Sequence, residues 1–142
     1  MPRITPLLLF DGNSAEAMTF YHYCLGGELT ITKLGDTPMK DLFPPEKHER
    51  LINAYLKSGA IEISATDWMA LPTYEPVQGD TVAIFVLGEG YDELKAVFDK
   101  LREGAREDRF QELHDLPFGT YGQFCDKYGV HWIFKGDRLT SR

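Results

Sequence analysis

Two segments with helical periodicity begin near residues 14 and 91, 77 positions apart in a chain of 142, and each has a short apolar run before it and three strand-like runs after it. In the first half, residues 4–10 form an apolar run stopped by Asp11-Gly12-Asn13. Asn13 with Glu16 has the form of a capping box, Ala17, Phe20, Tyr21 and Cys24 make one helical stripe, and Gly26-Gly27 ends it. Glu28–Leu34 alternates as a strand, and Leu51–Lys57 and Ala60–Thr66 are joined through Ser58-Gly59 as a hairpin. In the second half, Thr81–Leu87 is β-branched and apolar, and Tyr91, Leu94, Phe98 and Leu101 mark a helix face that stops near Gly104. Three strand candidates follow: Ala105–Glu112, Tyr121–Asp126 and Val130–Lys135, the last two joined by Lys127-Tyr128-Gly129. The expected fold class is therefore α+β, two paired βαβββ units of about 1–66 and 80–142 with a linker at 67–79, enclosing a cleft. One helix covers only one face of such a unit's sheet, so the other face must find a cover or bind something. Function is expected on that second face.

A length of 142 residues suits one domain of roughly 100–200 residues, and 43% hydrophobic with 13% aromatic content supports a real core and argues against disorder. The net charge of −7 leaves no basic sheath for phosphate backbones, so nucleic acid is not an expected partner. No apolar run approaches the ~20 residues of a spanning helix, and the N-terminal residues lack a signal peptide's apolar stretch, so no membrane partner and a cytoplasmic location are expected. Cys24 and Cys125 stand 101 positions apart without a Cys-x-x-Cys pair, which excludes a disulfide framework or zinc knuckle and reads as two small buried hydrophobes. Residues 35–50 and 67–79 are irregular and long enough for lids or connectors, the former expected as a mobile flap.

Phe10-Asp11-Gly12-Asn13-Ser14-Ala15-Glu16-Ala17-Met18-Thr19-Phe20-Tyr21, with Leu25-Gly26-Gly27-Glu28-Leu29, resembles the opening of the PhnB-like branch of the glyoxalase/bleomycin resistance/dioxygenase superfamily, the vicinal oxygen chelate proteins. Tyr121-Gly122, then Asp126-Lys127-Tyr128-Gly129-Val130-His131-Trp132, resembles that branch's ending. The resemblance implies paired βαβββ units, a homodimer, and in metal-dependent relatives about four ligands, one each on the first, fourth, fifth and eighth strands. Against that pattern the first strand offers Leu7, Leu8, Leu9 and Phe10, the fourth Glu62, the fifth only Thr81, and the eighth Ile133 with His131 two residues earlier. One carboxylate and one displaced imidazole do not close a Zn²⁺, Ni²⁺, Mn²⁺ or Fe²⁺ shell, so no cofactor is expected and a divalent metal is disfavoured. Asn53-Ala54 replaces a His-Ala of many relatives, and Phe118-Gly119-Thr120 replaces their Gly-Asp-Arg. Phosphonate-related or ubiquinone methyltransferase activities attached by name to this branch gain no support from these residues.

Glu62, between Ile61 and Ile63, alternates away from the apolar side. It reads either as a partly buried general base or ligand anchor with a raised pKa, or as a solvated strand carboxylate or salt-bridge partner. Asn53, Tyr55, Ser64 and Thr66 fall on the same face by alternation and are candidate ligand-binding groups. His131 and Trp132 alternate, so only one faces inward, and His131 is either a ligand-binding residue or a satisfied core histidine. Trp68 reads as a cleft wall or a dimer anchor. His22 is expected at the surface or an interface, and His48 and His114 in solvent. Gly88-Glu89-Gly90 is a strand-to-helix turn rather than a phosphate loop, and no Gly-x-Ser-x-Gly elbow or basic neighbour activates a nucleophile. The functional expectation is a protein that binds a small organic molecule in a metal-free cleft. The alternatives are a lyase, isomerase or dioxygenase-like enzyme using Glu62, and an interaction module whose cleft is filled by side chains.

Overall fold

A computed structural model describes residues 2–67, 77, 79, 81–117 and 119–136. Its contacts divide the chain into two compact units, Met1–Val77 and Gln78–Arg142. In the first, β1 (Leu7–Phe10), α1 (Ser14–Leu25), β2 (Glu28–Lys33), β3 (Leu51–Ser58) and β4 (Ile61–Asp67) give a sheet of order β1-β4-β3-β2. In the second, β5 (Ile84–Gly88), α2 (Tyr91–Leu101), β6 (Gln111–Leu116), β7 (Gly119–Cys125) and β8 (His131–Gly136) give β5-β8-β7-β6. Each unit is βαβββ with the same strand order, the first strand parallel to the fourth and the remaining pairs antiparallel. The α+β class read from the repeated pattern is what the chain adopts.

Alternation makes each sheet two-faced. In the first unit, Ala54, Leu56, Ile63 and Ala65 are buried together with Ala17, Met18, Tyr21 and Cys24 of α1. In the second, α2 buries Leu94, Phe98 and Leu101. Phe98 meets Phe124 and Phe134 edge-on, with centroids 5.1 and 5.0 Å away. Such aromatic pairs add about 0.5–1.5 kcal/mol each beyond their burial. Both cysteines are buried and neither forms a disulfide.

Four expectations need correction. Asn13 stands before α1 but its side chain makes no capping bond. The buried carboxylate of Asp67, at the end of β4, does that work. Its Oδ1 accepts the amides of Gly12 and Ser14 at 2.9 and 3.0 Å, and its Oδ2 accepts that of Leu51 at 2.9 Å. Residues 35–50, read as irregular, are largely three short 3-10 turns, Leu34–Asp36, Pro38–Leu42 and Pro45–Lys47. The ends of that segment are tied by Leu34 and Gly35 amides donating to the Arg50 and His48 carbonyls, both at 2.8 Å. His48 is half-buried rather than solvated, its Nε2 donating to the Lys40 carbonyl at 2.9 Å. The strand expected at Ala105–Glu112 begins instead at Gln111, because residues 102–110 close turns on themselves, as in Ala105 N–H to the Arg102 carbonyl at 2.9 Å.

Candidate functional site

On the first sheet, Asn53 and Tyr55 alternate with buried Ala54 and Leu56, and Glu62, Ser64 and Thr66 alternate with buried Ile63 and Ala65. Tyr55 lies opposite Ser64, and Lys57 opposite Glu62. The five residues grouped by alternation therefore share the face away from α1. Trp68 lies outside the described residues. On this face the Tyr55 hydroxyl donates to Glu62 Oε1 at 2.5 Å, and the same oxygen has Arg3 Nη1 at 3.3 Å and Lys57 Nζ at 3.6 Å. Thr66 donates to the Ile52 carbonyl at 2.7 Å, so its hydroxyl is spent within the sheet. The Tyr55 bond, then Arg3 and Lys57, hold the Glu62 carboxyl below the usual carboxylate range against the opposing effect of desolvation. Of the two readings of Glu62, its contacts are those of the salt-bridge partner, and the raised pKa of the other is reversed because three donors converge on its oxygen.

The second unit holds a cavity of about 540 Å³ lined by residues 81–83, 108–111, 123–124 and 131–133. Its floor is the sheet itself. Gln111 lies opposite Gln123, Gln123 opposite Ile133, and Ile133 opposite Phe85, so one row of side chains crosses β6, β7, β8 and β5 on the face away from α2. Gln123 Nε2 donates to Gln111 Oε1 at 2.9 Å. His131, two residues before Ile133, shares that face and is half-exposed, whereas Trp132 turns to the core and donates from Nε1 to Asp126 Oδ2 at 2.8 Å. Asp126 Oδ1 also accepts the amides of Tyr128 and Val130 at 2.8 and 3.0 Å. That buried carboxylate fixes the β7–β8 turn and with it the alternation that sends His131 to the cavity. Burial pushes the thiol of Cys125, which lies opposite His131, up from its ordinary value.

Of the residues singled out from sequence, His131 lines this cavity, and Asn53, Tyr55, Glu62 and Ser64 lie in the other unit. Gln111, Gln123 and Arg109 were missed. The alternation of Gln123 between buried Gly122 and Phe124 was the available signal, but Gln111 was hidden by the misplaced start of β6. The donor set for a divalent metal does not fit. The first, fourth, fifth and eighth strands supply two carboxylates and one imidazole, His131; of the carboxylates Asp67 is taken up by the amides of Gly12, Ser14 and Leu51, which leaves Glu62, and no three His, Cys, Asp or Glu side chains converge among the described residues. No described helix is long and apolar enough to cross a membrane.

A family model described as 3-demethylubiquinone-9 3-methyltransferase matches residues 2–134. Curated proteins give no match. Among solved structures, the chain is similar to protein PA1353 from Pseudomonas aeruginosa, with 28% identity, a TM-score of 0.80, and coverage of 97% of this chain and 99% of that one. It is also similar to a PhnB protein from Bacillus cereus, with 25% identity, a TM-score of 0.69 and coverage of 94% and 98%. A glyoxylase/bleomycin resistance protein/dioxygenase domain from Frankia sp. EAN1pec, 17% identical with a TM-score of 0.61 over 97% and 99% of the two chains, shares the fold. With the repeated unit, the two motifs and the family match in agreement, the chain belongs to the 3-demethylubiquinone-9 3-methyltransferase family, within the PhnB-like branch of the glyoxalase/bleomycin resistance/dioxygenase superfamily.

Proposed function

We propose that the protein binds a small organic molecule in the cavity of its second unit, through hydrogen bonds and apolar contact rather than through a coordinated metal. The observation that carries this reading is the cavity itself. Its volume of about 540 Å³ lies within the roughly 300–1,000 Å³ of small-molecule sites, and its wall joins a few polar groups to aliphatic and aromatic ones. Gln111, Gln123 and His131 supply donors and acceptors, and Val82 and Ile133 supply apolar surface. Glu62 as a general base is the weaker reading. A carboxyl held below the ordinary range by Tyr55, Arg3 and Lys57 has little basicity at neutral pH.

The test is a fragment screen on ¹⁵N-labelled full-length protein, read by backbone and glutamine side-chain amide shifts. Fragments are expected to move resonances of residues 81–83, 108–111 and 131–133 and to be recovered chemically unchanged. A screen in which no fragment perturbs those resonances, or in which a fragment is converted by a Glu62-dependent reaction, rejects the proposal.

A further inference from the structure

The two glutamines at the end of the cross-sheet row define what the cavity can recognise. A primary amide has one carbonyl acceptor and two N–H donors on its nitrogen. The single bond from Gln123 Nε2 to Gln111 Oε1 joins one donor to one acceptor and leaves the Gln123 carbonyl and the Gln111 NH₂ group on offer. Turning both amides over reverses the bond and still presents one carbonyl beside one NH₂. Among the described residues neither these amides nor the His131 ring makes a further side-chain hydrogen bond.

One acceptor and one donor left on two hydrogen-bonded amides are complementary to a cis amide, in which N–H and C=O point the same way from neighbouring ring atoms, so that a ring of three amides can close. Trans amides of open chains point them apart and do not match. The rest of the row is apolar: Ile133 follows Gln123, and Phe85, 54% exposed, continues the row beyond the cavity. Strands are spaced about 4.8 Å apart, so Gln123 to Phe85 spans about 10 Å, the length of a two-ring molecule. A carboxylate is the rival ligand, with Arg109 as its partner, but Arg109 already has an interaction and Asp108 beside it offsets its charge.

We infer that the cavity selects a flat ring carrying a cis amide, such as a lactam, imide or cyclic urea, whose N–H and C=O bond the Gln111–Gln123 pair and whose hydrocarbon edge lies over Ile133 and Phe85. The inference rests on the small-molecule reading above and adds the ligand's chemistry to it.

Three probes of matched size separate the possibilities on the labelled full-length protein: 2-quinolinone, with the cis amide; coumarin, in which oxygen replaces the N–H; and 1-naphthoate, an anion without an amide. 2-Quinolinone is expected to shift the Gln111 and Gln123 side-chain amides and to bind about tenfold more tightly than coumarin, the effect of one hydrogen bond with its partner left unmet when absent. Gln123→Leu, which keeps the side-chain volume, is expected to abolish that preference while coumarin still binds, and Gln111→Leu to do the same should the first variant fold poorly. Equal affinity for 2-quinolinone and coumarin, or tighter binding of 1-naphthoate at the same resonances, overturns the cis-amide inference and leaves the small-molecule reading standing. No shift at the cavity with any of the three overturns the inference, and the broader fragment screen then decides the reading beneath it.

Discussion

Tyr55 and Glu62 form a donor–acceptor pair whose two ends titrate at opposite extremes of pH. The hydrogen bond from Tyr55 is the largest cause of the lowered Glu62 pKa, and the same bond, followed by burial, raises the Tyr55 hydroxyl above its usual value of 10.0. A carboxyl favoured as the anion in the fold contributes stability in full above its ordinary value of 4.5, and that contribution is lost as pH falls through the lower folded value. A phenol favoured as the neutral form contributes in full below 10.0 and loses its contribution as pH rises through the higher folded value. The pair is therefore intact across the neutral range. Tyr55→Phe is expected to move the Glu62 carboxyl titration, followed by its ¹³C shift, upward toward the ordinary range. An unchanged midpoint would mean that Arg3 and Lys57 alone hold the anion. At this scale sequence is a partial guide. Alternation places Glu62 on the observed face, but the sign of its pKa shift depends first on the Tyr55 hydroxyl and then on Arg3 and Lys57, all brought to its oxygen by strand pairing and the N-terminal segment rather than by local sequence. Asp67 is harder still to read, since it caps a helix 53 residues earlier in the chain.

The elements are legible where their periodicity is local and shift where a distant contact decides. α2 reads from Tyr91, Leu94, Phe98 and Leu101, of which the last three are buried and Tyr91, at the first turn, is half-exposed. β6 starts later than the alternation suggests because Ala105 and Phe110 donate their amides to turn carbonyls, of Arg102 and Glu107, and Arg106 N–H reaches the Cys125 carbonyl at 3.0 Å. The packing of α2 on its sheet depends on Gly122 in β7. A Cβ there would stand 2.9 Å from Phe98 Cε2, 3.0 Å from the Leu113 Cα and 3.1 Å from Leu113 Cδ1. Phe98 is itself wedged against Phe124 and Phe134, and the Leu113 contact is with backbone, so neither neighbour moves freely. Gly122→Ala is expected to destabilise the protein by about 1–3 kcal/mol, the usual cost of overpacking a core, seen as a lower urea midpoint with the slope unchanged. A variant as stable as the parent would show that α2 is free to slide on β7. Because Gly122 precedes Gln123, the same substitution is expected to disturb the Gln111–Gln123 resonances, tying the element's packing to the cavity.

Across the whole molecule one topology is used twice with different local solutions. Phe10 pairs with Asp67 at the end of the first unit's parallel strand pair, and Gly88 pairs with Gly136 at the end of the second. Where the first unit uses a carboxylate to satisfy the amides entering α1, the second brings backbone so close that a Cβ on Gly136 would meet Gly90 Cα at 2.9 Å. Repetition of fold therefore carries no repetition of side-chain chemistry, and the same divergence governs metal binding. Four donors drawn from the first, fourth, fifth and eighth strands would be needed, and the first, fifth and eighth bring aliphatic and aromatic side chains to most of their positions. A site whose Kd is a hundredth of the free metal concentration would stabilise the fold by about 2.7 kcal/mol and raise Tm by roughly 5–11 °C in a chain near this size. After dialysis against EDTA, addition of Zn²⁺, Ni²⁺ or Mn²⁺ is expected to leave Tm and the shifts produced by 2-quinolinone unchanged. A saturable one-to-one rise in Tm that Glu62→Gln removes would instead place an ion on Glu62. It would also require Tyr55, Arg3 and Lys57 to release the oxygen they now share, which makes the Glu62 carboxyl titration in the parent chain the companion measurement: its midpoint would have to change on metal addition.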